Sequence, residues 1–318
     1  MTAADWAVDD RDEGSHEPGG ERLWNESWYA DFVTADGSLG GYLRLGLSPN
    51  QGSAWVLVAL AGPGRPTVLV DDKGAPLPGE GPVQVTTSAY RFALQTVEPL
   101  RSWRVHGEGR GSSFPDPAGI LRGEQGADCA LALDLTWTTD GEPYRYPVGT
   151  RYEIPCLVSG TVTLGGEVHH LSGAVGQRDH SWGVRDWEQA TWCWSACRLD
   201  DGTRAHLTRI DLPGLRLDLG YLQRVGGMTA VGTCQAVHGD AVAGLPSGSH
   251  LLLRPSGPGE ELGLDVTPLA HAPTTVPTSS GAPQPFPRAM ARFRVPDGRE
   301  GLGWIEWNGL PARAENAR

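Results

Sequence analysis

The sequence predicts an all-β protein built as two barrel-like halves with very little helix. Three observations carry this. The 318 residues include 44 glycines and 25 prolines, about a fifth of the chain where average usage is roughly 12%, so tight turns are frequent. Apolar and polar residues alternate over short runs, the period of a strand with one buried face. No window of a dozen residues holds the 3.6 period of a helix.

The extended runs begin near Asn25. Tyr42–Leu47 alternates, and Ala54–Leu60 is nearly all apolar. Tyr90–Val97, Cys129–Trp137 and Leu215–Tyr221 alternate again. Trp192–Leu199 and Thr203–Ile210 read as one hairpin closed by Asp200-Asp201-Gly202, a good tight turn. Met290–Val295 and Gly303–Trp307 end the series. Strands spaced about 8–12 residues apart indicate a barrel or sandwich. About 16 of them exceed one small barrel, which closes at about eight, so two halves fit better. Gly160, Gly165, Gly166 and Gly173 place the boundary near 160–175, giving domains over 21–165 and 166–318. Residues 1–20 are acidic with Gly, Ser and Pro, and read as a mobile tail. Pro273–Pro287 reads as a long loop, and Val184–Ala190 is the one stretch allowed a helical turn.

Composition excludes several classes. The net charge is −12 and the only lysine is Lys73, so a nucleic-acid groove is not expected. The longest apolar run, Ala54–Ala61, is eight residues, far short of the ~20 of a spanning helix. Five cysteines at 129, 156, 193, 197 and 234 lack CxxC spacing, so neither a disulfide scaffold nor a structural metal is expected, and the setting reads as cytoplasmic. The acidic N-terminus has no apolar signal-like region. His169-His170 point oppositely in a strand, and Cys193-x3-Cys197 has no second pair. Dinucleotide, P-loop, GxSxG and HExxH motifs are missing, so no cofactor is expected.

The densest chemistry lies in Gly176-Gln-Arg-Asp-His-Ser-Trp-Gly-Val-Arg-Asp-Trp187. In a strand Arg178, His180 and Trp182 share one face, with Asp179 and Ser181 on the other. A histidine beside an aromatic wall suits proton transfer. The same residues also read as a turn laced by ion pairs from Arg178 and Arg185 to Asp179 and Asp186. Glu26 and Trp28 share a strand face, a pairing suited to a cation or sugar, or simply a first strand with an edge charge. Tyr146, Tyr152 and Glu153 cluster within Tyr144–Pro155, and Trp304 and Glu306 share a face near the end; each also fits plain strand packing. Twelve tryptophans against three methionines and five phenylalanines point to cavities or binding surfaces.

Gly176, Asp179, His180, Trp182 and Gly183 match the Gly-x-x-Asp-His-x-Trp-Gly core of the carotenoid 1,2-hydratase-like and AttH-like superfamily, which the chain resembles. Glu26-Ser27-Trp28-Tyr29, Tyr152-Glu153-Ile154-Pro155 and Gly303-Trp304-Ile305-Glu306-Trp307 look similar to it too. The form of the central motif looks most like actinobacterial members of unassigned function. The resemblance implies two lipocalin-like β-barrel domains in tandem with a ligand cavity near their junction. It implies activities such as water addition to a terpenoid alkene, or pericyclic or cationic cyclisation. Carotenoid hydratases carry a Tyr-x-Asp pair on the strand hairpinned to the one after the motif; here that place holds His206-Leu207-Thr208, without the acid.

The favoured reading is a cofactor-independent hydratase, isomerase or cyclase acting by acid–base chemistry on an apolar terpenoid or polyketide. His180 and Asp179 are the acid–base candidates, with Glu26, Glu306 and His206 as auxiliaries. Trp28, Trp182 and Trp304 form the walls, and Tyr152, Arg185, Trp187 and Trp194 complete the substrate-binding set. Two alternatives stay open: a non-catalytic lipocalin-like carrier, and a carbohydrate-active enzyme with two carboxyls across a cleft.

Overall fold

The structure, a computed structural model, describes residues 8–79, 81, 83–278 and 281–309. It is all-β and lipocalin-like, with strand over 65% of the residues and helix over 4%. The chain divides into two compact units. The first takes the chain up to Leu60, Val68–Phe114 and Gly126–Arg185; the second takes Ala61–Thr67, Pro115–Gln125 and the chain from Asp186 onward. The division therefore falls after Arg185, not near 160–175. Gly165 and Gly166 instead make the turn of a hairpin inside the first unit, where Leu164 faces Glu167.

The first unit holds β1 (Trp24–Val33), β2 (Gly40–Ser48), β3 (Ser53–Ala61), β4 (Thr67–Ala75), β5 (Val83–Thr86), β6 (Tyr90–Glu98), β7 (Ser102–Phe114), β8 (Ala127–Thr139), β9 (Tyr144–Arg145), β10 (Thr150–Leu164) and β11 (Glu167–Val184). Pairing runs β4-β3-β2-β1-β11-β10-β8-β7 and returns from β7 to β4, which closes a barrel. Strands β6 and β5 extend from β7, and β9 pairs with β10. The period of two sends Trp28, Phe32, Leu45, Val58, Trp103 and Ile154 into one buried core. Strand β10 bends at Gly160, where φ is +135° and the register with β11 slips. A Cβ there would collide with the Asp134 carbonyl oxygen, so the bend needs glycine.

The second unit holds β12 (Thr191–Leu199), β13 (Arg204–Leu212), β14 (Leu215–Arg224), β15 (Gly227–His238), β16 (Ala241–Val242), β17 (Leu245–Pro246), β18 (Ser249–Pro255), β19 (Leu262–His271), β20 (Thr274–Val276), β21 (Gln284–Phe286), β22 (Arg288–Arg294) and β23 (Glu300–Asn308). Strands β12-β13-β14-β15-β18-β19-β22-β23 form a closed barrel around Cys193, Leu207, Leu253, Phe293 and Ile305. The Asp200-Asp201-Gly202 turn is as expected: the Leu199 amide donates to the Thr203 carbonyl at 2.8 Å. Two expectations fail. The Pro273–Pro287 loop contains the β20–β21 ribbon, because Thr274, Val276 and Phe286 are buried. Val184–Ala190 forms no helix. The Asp186 carboxylate accepts from the Glu188 amide at 3.0 Å and the Gln189 side chain at 2.8 Å, a local turn that competes with helix. Among the described residues, no helix is long and apolar enough to cross a membrane.

The second barrel carries an acid-sensitive group. Burial lowers the pKa of His271 to about 4 from 6.5, and its Nδ1 has no hydrogen-bond partner. The imidazole is neutral in the fold, whereas the unfolded chain takes up a proton below 6.5. Its contribution is therefore complete above pH 6.5 and shrinks as pH falls toward 4, by up to about 1.4 kcal/mol per pH unit. His271→Gln should show a smaller drop in Tm between pH 7 and pH 5 than the parent protein. An equal drop would contradict this assignment.

Candidate functional site

Three neighbouring strands of the first barrel build the site. Strand β11 pairs with β1 on one side and β10 on the other, so Trp28, His180 and Tyr152 fall in one row. Glu26 and Trp182 fall in the next row. The alternation of β11 sends Arg178, His180 and Trp182 to one face, as the sequence predicts, and Asp179 to the other.

An unforeseen element completes this face. Residues 8–20, expected to be part of a mobile tail, are bound into the first unit; residues 1–7 lie outside the described residues. Asp9 caps a 3-10 turn, Asp10–Glu13, by accepting from the Arg11 amide at 2.9 Å. The turn buries Glu13. Its Oε1 accepts from Arg178 Nη1 and from the Tyr152 hydroxyl, both at 2.7 Å, and Oε2 accepts from the Trp103 indole. The Arg178 guanidinium lies 4.3 Å from the Trp103 ring centroid, a cation–π contact. Burial, and then the Glu13 charge, raise the Tyr152 pKa well above its usual value, so Tyr152 stays a phenol.

His180 is fully buried, stacked on Trp28 with centroids 4.5 Å apart. Its Nδ1 lies 2.7 Å from the Asp12 carbonyl oxygen. A carbonyl can only accept, so Nδ1 carries a hydrogen. Its Nε2 lies 3.0 Å from Glu26 Oε1, and one proton must lie between them. Burial lowers the His180 pKa to about 4 and raises that of Glu26. Both shifts favour a carboxylic acid donating to a neutral imidazole. His16 covers the pair: its amide donates to Glu26 Oε1 and Oε2 at 3.0 and 3.2 Å, and its Nδ1 lies 2.8 Å from Oε1. The His16 ring stacks on Trp182 at 3.8 Å. Among the described residues, His16, Glu26 and His180 are also the group whose ligand atoms, all within 4.8 Å, could hold a metal ion.

The structure thus brings together Glu26, Trp28, Tyr152, His180 and Trp182. Of the rest, Asp179 and Arg185 lie in the same unit. Asp179 lies on the opposite face, where Arg151 Nη2 stands 2.8 Å from its Oδ2. Arg185 donates to the Ser181 hydroxyl at 2.9 Å. The remaining candidates belong to the second unit. His206 Nδ1 lies 3.0 Å from the Ser195 carbonyl, and its ring meets Trp194 edge-on. Glu306 pairs with Arg288 and accepts from Trp192 Nε1 at 3.4 Å, and Trp192 packs on Trp187. Trp304 is fully buried in β23. Sequence reasoning missed Asp12, Glu13 and His16. The available signal was Arg178 itself, a guanidinium on an apolar strand face that needs a carboxylate from elsewhere.

The Arg178–Glu13 pair should matter far more than a surface pair. Glu13→Ala leaves a buried cation uncompensated and should cost about 3–5 kcal/mol in denaturant unfolding, with loss of amide-exchange protection over residues 9–16. Asp128→Ala, which breaks an exposed pair with Arg110, should cost under about 1 kcal/mol. Similar costs for the two would refute the anchoring role of Glu13.

Comparison with solved structures finds the same fold. A putative AttH from Nitrosomonas europaea superposes with a TM-score of 0.61 at 15% identity, covering 95% of this chain and 96% of that one. CghA gives 0.58 at 13% identity, covering 91% and 89%. Kievitone hydratase from Nectria haematococca gives 0.52 at 10% identity, covering 90% and 89%. No curated protein sequence matches the chain. Residues 9–311, which include the anchored N-terminal turn and both barrels, match a single family model, and the chain belongs to that family, the domain of unknown function DUF7064.

Proposed function

We propose that the chain is a hydratase-, cyclase- or isomerase-type enzyme that works by acid–base chemistry on an apolar terpenoid or other natural-product molecule. The observation that carries this reading is the 3.0 Å separation of Glu26 Oε1 and His180 Nε2, across which the two groups share one proton. The pair is buried against Trp28 and bordered by Trp182. The fold shared with kievitone hydratase and with CghA, the latter also solved with Sch210972, supports it.

In this reading substrate approaches from the partly exposed side formed by His16 and Trp182. The pair delivers its proton to a substrate alkene or carbonyl. The cation that forms is stabilised over the Trp182 face. Water or an internal hydroxyl adds to the cationic carbon and loses its O–H proton, or an internal alkene adds and the new cation loses a proton from the adjacent carbon. The proton released in that step returns to the Glu26–His180 pair, which closes the cycle without a redox change. Asp12 holds the His180 tautomer through its carbonyl, and Tyr152 and Glu13 fix the floor of the site.

The test works with an unidentified substrate. A panel of alkene- and enone-bearing terpenoids and polyketides is incubated in deuterium oxide, and products are read by mass spectrometry. The wild-type protein should incorporate deuterium into one class. His180→Ala and Glu26→Gln should lower the rate about 10²–10⁴-fold, the usual size of general acid–base catalysis. Binding of the panel without deuterium or water uptake would favour a carrier instead. A folded His180→Ala protein with the parental rate would remove His180 from the chemistry.

A further inference from the structure

The place between His16, Glu26 and His180 has a donor set that suits more than a proton. His16 Nδ1 and His180 Nε2 lie 2.8 and 3.0 Å from the same oxygen, Glu26 Oε1. In a tetrahedral site with bonds of about 2.0–2.1 Å, neighbouring ligand atoms stand about 3.4 Å apart. To take an ion of that size the two nitrogens would move about 0.5 Å away from Glu26 Oε1 and, since the three ligand atoms span up to 4.8 Å, the rings would turn toward each other.

The outer nitrogen of His180 is already oriented as a ligating imidazole requires. A metal-bound histidine usually directs its other N–H to a carbonyl or carboxylate. Here the Asp12 carbonyl oxygen lies 2.7 Å from His180 Nδ1, while Asp12 Oδ1 stands 3.7 Å from His16 Nε2, near it but beyond hydrogen-bond reach. Charge points the same way. Glu13 is matched by Arg178 and Asp12 by Arg145. Glu26 is buried at 2% exposure, and its polar side-chain contacts are with His16 and His180. Once its shared proton is displaced, a divalent cation would supply the charge that this carboxylate then needs.

We infer that His16, Glu26 and His180 bind one zinc-class divalent cation, which takes the place of the proton held between Glu26 and His180. Two imidazoles and one carboxylate favour zinc or cobalt over magnesium or calcium, which prefer oxygen ligands. Three protein ligands leave a coordination position open. Because the ion occupies the His180 lone pair, it competes with the acid–base role proposed above. The binding itself is independent of that role.

Calorimetric titration of the chelator-treated full chain with zinc chloride at pH 7.5 tests this without any substrate. The expected result is one site per chain, with a rise in Tm and no response to magnesium chloride. His16→Ala should weaken binding at least tenfold. Cobalt chloride added to the unmutated protein should give the visible absorption bands of a low-coordinate nitrogen–oxygen site, which guards against a variant that fails to fold. Absence of both the zinc heat and the cobalt bands would overturn the inference, as would unchanged affinity in a folded His16→Ala protein. The deuterium assay then separates the two readings. Zinc that binds and suppresses incorporation supports both. Zinc that binds and is needed for incorporation keeps the site but overturns the competition inferred here, together with the proton-donor reading.

Discussion

A guanidinium points into the first barrel, and the carboxylate that meets it comes from outside the barrel strands. Arg178 is fully buried, with its charge against Glu13 and its plane over Trp103. An unmatched cation in such a place costs several kcal/mol, so the Asp10–Glu13 turn is held as firmly as a strand would be. The remaining features of the site follow from this one contact. With Glu13 fixed, the carbonyl of Asp12 reaches His180, and three residues later the amide of His16 reaches Glu26. The ionic anchor therefore sets the tautomer of His180 and the cover of Glu26 without either group taking part in the ion pair.

Much of the fold was legible because strand formation leaves a local trace. Tyr42–Leu47, Tyr90–Val97, Cys129–Trp137 and Gly303–Trp307 all lie within observed strands, since one side of each strand faces a core. The two barrel rings hold sixteen strands, the expected number, and the further strands, β6 among them, lie outside the rings. The boundary was misplaced for a physical reason. Glycine marks a turn or a bend equally well, and Gly160 and Gly165 serve a bend and a hairpin within one barrel. The anchored N-terminal turn left no such trace. Its helical hydrogen bonds are few, its residues are polar, and the partners of Asp12, Glu13 and His16 lie far away in sequence. Polar sequences of this kind ordinarily stay solvated; here long-range ion pairs from Glu13 to Arg178 and from Asp12 to Arg145 hold the turn in place.

The site was legible to the same degree. Period-two reasoning placed His180 and Trp182 on one face and paired Glu26 with Trp28, and the β1–β11 register joins the two observations. Candidates drawn from the second half rest on one strand each: Glu306 on the face it shares with Trp304, and His206 on its place in a hairpin. In the structure Glu306 pairs with Arg288, and His206 Nδ1 lies 3.0 Å from the Ser195 carbonyl. A carboxylate and a histidine are informative in a strand only when the neighbouring strands are known, because what they meet decides what they do.

Asp179 and His180 show how one strand can serve two networks. Adjacent residues in β11 face opposite ways, so the pair cannot act on one reacting atom without a bulge, and none interrupts the β1–β11 register there. Asp179 instead joins Arg151, which also holds Glu153, itself bonded to Gln177 of β11 at 3.0 Å. This network ties β10 to β11 on one face. On the other, the same pairing sets Tyr152 beside His180. A slip of one residue would reverse both faces at once, putting Asp179 against Trp28 and His180 against Arg151. The cost of an unpaired aspartate among aromatic rings would oppose such a slip. Asp179 thus helps to fix the register that aims His180.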